Sequence, residues 1–280
     1  MRLLWKWCMA LGGALMLTAA VQPQTREPVD VPPYGKPIEL LGLEGMHGGR
    51  VVKGAPFSAT ATSETTQTLQ DGSQIHRSTQ IVMYRDGEGR SRHETTFNGF
   101  GPLATEGKSK TMISISDPVT GELMVLDGEN KVARKMVFRW REALSPEATT
   151  KRQTEREARR AEEEAAGLLK TESLGTQTVN GVFAEGTRVT RTIPAGQIGN
   201  DRALQVLSER WYSPDLQIVV KSTHTDPRFG TTAYNVTNIQ KGEPEATLFS
   251  VPSGYTVLDG RTTRRLLERQ TPQTPQPPED

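Results

Sequence analysis

Cysteine is all but missing from this 280-residue chain. There is one, Cys8, inside an apolar N-terminal run. Beyond that run the chain has no disulfide, thiol nucleophile or cysteine metal ligand, so its fold rests on core burial. Histidine is scarce as well: His47, His76, His93 and His224 are the full set. No His-x-Glu or His-x-x-x-His spacing occurs among them. If Asp86–Gly89 is a four-residue hairpin loop with Arg85 facing Arg90, then His93 faces Val82 and His76 faces Gly99, and the two do not converge. The sequence therefore implies neither a metal nor a cofactor. An excess of one charge is lacking too. The 34 Lys+Arg against 33 Asp+Glu give no general nucleic-acid surface. Gly-x-Ser-x-Gly elbows and phosphate-cradling loops are absent. Gly196-x-x-Gly199 follows a strand ending at Pro194 and reads as a turn. No catalytic residue is assigned, and a hydrolase with an unrecognised site stays as the weaker alternative.

Apolar residues are few, at 34% hydrophobic and 6% aromatic. Thr and Ser fill many strand positions instead. That composition suits sheets with one wet or cavity-lining face. No stable membrane span is expected once the N-terminal segment is removed. That segment reads as a signal peptide over residues 1–20. Arg2 and Lys6 are its basic start, Cys8–Ala19 its apolar run and Thr18-Ala19-Ala20 its small-residue cleavage site. It predicts a periplasmic or secreted protein.

Residues 21–50 form a leader kept extended by Pro23, Pro28, Pro32, Pro33 and Pro37. From residue 51 to 258 the signals are those of strands. Asp71-Gly72, Asp86-Gly87, Asp127-Gly128 and Asn180-Gly181 mark hairpins. Between them run alternating segments: Phe57–Thr62, Gln74–Tyr84, Arg90–Phe97, Thr111–Ser116, Glu122–Leu126 and Lys131–Phe138. After the break come Val182–Ile193, Ala203–Tyr212, Leu216–Thr223 and Thr231–Ile239. Short strands at this spacing predict a mainly β, antiparallel sheet. Residues 139–170 interrupt it with a charged helical insert, its pairs Lys151/Glu155, Arg159/Glu163 and Arg160/Glu164 four apart. A solvated connector and a helix that covers the sheet both fit its thin Ala/Leu stripe. Residues 259–280, rich in Thr, Pro and Gln, are expected to be a disordered tail.

Several residues together resemble a known family. They are Glu209, Trp211, Asp226, Gly230, Tyr234, Asn238 and Ile239, then Leu248-Phe249-x-Val251-Pro252-x-Gly254-Tyr255. Their order resembles the periplasmic lipoprotein-carrier (LolA-like) proteins. Tyr84-Arg85-Asp86-x-Glu88-Gly89-Arg90 with Asp117-Pro118-x-x-Gly121 resembles uncharacterised exported proteins of soil bacteria. The first resemblance implies a curved sheet or half-open barrel that holds an acyl chain in its concave face.

Three expectations follow for particular residues. Leu207 and Trp211 share a strand face and are the candidate ligand contacts. Arg188 and Glu209 form either a register-setting ion pair or a polar gate. Leu248, Phe249, Val251 and Tyr255 fold back as a C-terminal clasp. The function these imply is non-enzymatic binding in the cell envelope, of a lipid or another apolar group. The alternative is a regulatory or structural module with an envelope protein as partner.

Overall fold

The computed structural model describes residues 51–98, 109–137 and 146–259. The segments read as signal peptide and leader, the first part of the insert and the tail from residue 260 lie outside the described residues. Among the described residues twelve strands occur in order. They are β1 (Phe57–Thr68), β2 (Gln74–Arg85), β3 (Ser91–Asn98), β4 (Ser109–Asp117), β5 (Glu122–Asp127), β6 (Val132–Val137), β7 (Leu169–Val179), β8 (Val182–Ile193), β9 (Leu204–Ser213), β10 (Ile218–Asp226), β11 (Gly230–Lys241) and β12 (Thr256–Asp259). One helix, α1 (Pro146–Ala165), precedes β7. The strands form one sheet in the order β12-β6-β5-β4-β3-β2-β1-β11-β10-β9-β8-β7. Every pairing is antiparallel except β12 on β6. Among the described residues the fold is thus mainly β, a curved open sheet with one α-helix inserted before β7.

Period-2 patterning explains the central seam. Phe57, Ala59, Ala61 and Ser63 are buried while the residues between them are half-exposed. Register carries that face across the sheet, since directly paired residues share a side. Arg85, Met83, Ile81 and Thr79 lie opposite them on β2, then Ser91, His93, Thr95 and Phe97 on β3. Ser116, Ser114 and Met112 continue it on β4, Leu123 and Val125 on β5, and Met136 and Arg134 on β6. This side is called the inner face.

The sheet curls toward that face. Arg85 on β2 donates from Nε to the Ala55 carbonyl at 3.0 Å and from Nη2 to the Leu216 carbonyl in the β9–β10 turn. A flat sheet would put β10 about 14 Å from β2, beyond an arginine's reach. A bulge at Val220 lets β10 leave β11, whose last pair with it is Asn235–Lys221. The β7–β8 tip then bends over, and Asn180 Nδ2 donates to Asn235 Oδ1 at 2.8 Å and to the Val236 carbonyl at 2.6 Å. The first core forms there from Phe57, Ala59, Ala61, Met83, Val220, Val236 and the tip residues Val179 and Val182. A second, smaller core lies on the outer face of β3–β6, where Ile115, Leu126 and Ala133 are covered by Phe249.

Some boundaries and registers differ from the sequence reading. The β2–β3 loop has five residues, because Asp86 N–H donates to the Arg90 carbonyl at 3.0 Å while the Asp86 carboxylate accepts from Arg90 N–H at 2.8 Å and Nε at 2.5 Å. Arg85 therefore faces Ser91, and His93 faces Met83 rather than Val82. Gly99 lies outside the described residues. Leu216 is a buried turn residue, and the strand begins at Ile218. The polar strand β7 occupies part of the stretch read as helix. Within α1, Arg160 pairs with Glu164 at 3.1 Å, whereas Glu163 reaches Arg191 on β8 at 2.8 Å instead of Arg159. The helix is exposed along most of its described side chains and meets the sheet at edge strand β7 and, through Glu163, at Arg191 of β8.

Candidate functional site

The inner face of β3–β6 carries a cavity of about 420 Å³. Phe97, Met112 and Val125 line it from three adjacent strands, with Arg134 beside Val125 on β6. The β5–β6 loop, Asp127-Gly128-Glu129, closes one end. That rim is held in shape by Asp127, whose Oδ1 accepts from the Glu129 and Asn130 N–H groups at 3.1 Å each. Asn130 Nδ2 adds a bond to Asp127 Oδ2 at 2.9 Å. The arrangement is an apolar floor with charged groups at its margin. Volumes of about 300–1,000 Å³ with such a lining are typical of small-ligand sites.

The same face turns polar toward β1. Ser63, Thr79 and Thr95 are buried side by side there, with buried Ser116 farther along β4. His93 sits half-buried between Met83 and Ser114. Burial, reinforced by the positive charge of Arg85, pushes its imidazole down to about 4. His93 is therefore neutral at pH 7. Burial also lowers Arg85, to about 10, against the opposing pull of Tyr212, and it stays charged at neutral pH. Its guanidinium stacks 4.7 Å from the Phe57 ring. Among the described residues no three His, Cys, Asp or Glu side chains gather as a metal site.

The register places Leu207, Glu209 and Trp211 on the outer face, opposite Thr190, Arg188 and Gly186 of β8. Arg188 Nε donates to Glu209 Oε1 at 2.7 Å, an ion pair across two neighbouring strands. Trp211 lies over Gly186. A Cβ there would stand 2.6 Å from the indole and 2.8 Å from the Leu174 Cβ, so the absent side chain makes room for the ring. Trp211 packs against the first core. Neither Leu207 nor Trp211 lines the cavity.

The C-terminal residues cross the outer face of β3–β6. Glu243 accepts from Gly87 N–H at 3.0 Å. Arg92 Nη1 donates to the Leu248 carbonyl at 3.1 Å, and Arg90 lies 5.3 Å from the Phe249 ring. Leu248, Val251 and Tyr255 pack around buried Phe249. The segment ends in β12, alongside β6. It thus backs the strands whose inner face carries the cavity. Nothing in the sequence singled out Phe97, Met112 and Val125. Two lie in mixed Thr-rich runs, and only the cross-strand register assembles them.

No protein-family model and no curated protein matches this chain. Solved structures similar to it include a chain of the Pseudomonas aeruginosa MucA/MucB complex, at 12% identity and TM-score 0.38, covering 80% of this chain and 64% of that one. The Mycobacterium tuberculosis lipoprotein LppX is similar at 11% identity and TM-score 0.30, covering 77% and 98%. A LolA superfamily protein from Nitrosomonas europaea is similar at 7% identity and TM-score 0.27, covering 75% and 97%. The chain spans less than two thirds of the MucA/MucB-complex chain it matches. Likeness at these scores carries no function to this chain.

Proposed function

We propose that this protein is a non-enzymatic binding module of the cell envelope that holds an apolar group, such as an acyl chain, in the inner-face cavity of β3–β6. The carrying observation is the apolar hollow itself: about 420 Å³ lined by Phe97, Met112 and Val125, with Arg134 and Glu129 at its margin. Side chains of a filled sheet face would occupy that space. The charged margin suits a ligand with an apolar body and a polar head. No helix among the described residues is long and apolar enough to cross a membrane.

Titration with a fluorescent fatty-acid analogue tests this reading. Micromolar affinity is expected, about 8 kcal/mol. Met112 is exposed in the cavity, so Met112→Glu puts a carboxylate there without disturbing the core. It is expected to weaken binding at least about tenfold at unchanged melting temperature, since a charge on an apolar floor is costly to desolvate. Absence of binding up to the probe's solubility limit, or equal binding by Met112→Glu, overturns the proposal.

One observation favours a second reading, an envelope protein-interaction module. Among the described residues, edge strand β7 has a sheet neighbour on one side only, and an added strand from a partner would complete it. Native mass spectrometry of protein taken from its own envelope separates the two. A co-purifying lipid supports the first reading and a protein subunit the second.

A further inference from the structure

Three neighbouring hairpins end at one rim of the sheet. They are β1–β2, β10–β11 and β8–β9, brought side by side by the pairs Thr68–Gln74, Thr66–Thr231, Thr225–Leu207 and Ile193–Leu204. Each tip presents one large apolar side chain to solvent: Leu69 at 41% exposure, Phe229 at 56% and Ile198 at 46%. Each tip is also braced from within. Asp71 Oδ1 accepts from Ser73 N–H at 3.0 Å and its Oγ at 2.6 Å. The buried Asp226 carboxylate accepts from Arg228 N–H at 2.9 Å, Nε at 2.9 Å and Nη2 at 2.6 Å. Asn200 accepts from Ile198 N–H at 3.1 Å and donates to the Pro194 and Arg202 carbonyls at 2.8 and 2.7 Å. Gly230 sits so close to β1 that a Cβ would collide with the Thr66 carbonyl, which pins the middle tip in place. Rigid loops that hold a Phe, a Leu and an Ile in water expose apolar area with no return in the folded chain.

We infer that this rim docks on the surface of a lipid bilayer, with Leu69, Ile198 and Phe229 inserted as three separate anchors. The spacing favours lipid over a protein. Neighbouring tips stand two strand widths apart, roughly 10 Å, and polar residues such as Gln70, Gln197 and Arg228 separate the apolar ones. A protein interface has a contiguous packed centre, which the described residues of this rim lack. A fluid interface accepts isolated side chains one by one. Arg228 stacks its guanidinium 5.0 Å from the Phe229 ring, an amphipathic pair suited to headgroup depth. The Asp127–Glu129 end of the cavity lies at the same end of the sheet, because the β5–β6 loop also turns there. Docking does not require the cavity to hold a ligand, so each idea fails or stands separately.

The test uses the full chain with Cys8→Ser, which removes its one cysteine. An environment-sensitive nitrobenzoxadiazole label is placed singly on Phe229→Cys, Leu69→Cys, Ile198→Cys or Val119→Cys. Val119, 66% exposed in the β4–β5 turn at the opposite end, is the control for any attachment through the N-terminal segment. Mixed with vesicles of phosphatidylethanolamine and phosphatidylglycerol, the three rim labels should shift to the blue, brighten and be quenched by brominated acyl chains. The Val119 label should stay water-exposed. Phe229→Ser in the unlabelled protein should lower vesicle partitioning roughly three- to tenfold at unchanged melting temperature. Rim labels that remain in water, or a Val119 label that responds equally, overturn the inference. So does a rim that is shielded only when an envelope protein is added, which would assign it to a protein partner.

Discussion

The two halves of the sheet solve the same problem by different means. The half from β1 through β11 to β7 closes on itself. Alanines at 59 and 61 let neighbouring elements approach, the bulge at Val220 frees the β9–β10 end to fold inward, and the Asn180 amide binds β11. Among the described residues, the half from β3 to β6 stays open on its inner face. It is backed instead by a segment from another part of the chain, anchored by Phe249 on the outer face. The lesson is that a sheet too poor in apolar residues to fill both faces needs only one buried face per strand.

The sharpest way to break this comparison is Phe249→Ala. Loss of a buried phenylalanine is expected to cost about 3–5 kcal/mol. Amide hydrogen exchange should then speed up in β3–β6 while β8–β10 keep their protection. Equal loss in both halves would show that the sheet is a single cooperative unit. Gly186→Ala probes the other half. Its new Cβ meets the Trp211 indole and the Leu174 Cβ, so about 1–3 kcal/mol is expected, with a red shift of indole emission as the ring is displaced. An unchanged melting temperature would mean that Trp211 is loosely held.

The smallest effect is the most specific. His93 titrates near 4 in the folded protein and near 6.5 unfolded. Between those values the unfolded chain binds more protons, so stability is fully present above about pH 6.5 and falls as pH drops toward 4. About 1–2 kcal/mol is expected to be lost between pH 7 and pH 5. His93→Gln should flatten that slope, and an unaltered slope would place the titration elsewhere.

Much of the fold was legible because turns and periodicity are local signals. Asn180-Gly181 at the β7–β8 turn and the alternation from Phe57 needed no tertiary context. The β2–β3 register was misplaced by one because the Asp86–Arg90 hydrogen bonds lengthen the loop, and Asp-Gly alone does not count its residues. Strand β7, with Lys170, Glu172 and Gln177, has edge-strand polarity and resembles the charged helix before it. Strand β12 was invisible because four residues paired parallel to a distant strand leave no periodic trace. The cavity was illegible for a related reason. Phe97, Met112 and Val125 are scattered in sequence, and only the register makes them neighbours.

The seam between β1 and β11 joins opposite ends of the described chain, Phe57 beside Lys241. Synthesis delivers β1 first and its partner near the end. Until β11 arrives, β1 has an open edge and the inward curl cannot form. Most of the polypeptide must therefore exist before the sheet can close, and such sequence-distant pairing is slow. The apolar residues on the inner face of β1 and β2, Phe57, Ala59, Ala61, Ile81 and Met83, need shelter from aggregation during that interval, and the arrival of the Gly230–Lys241 segment sets the moment when shelter can end.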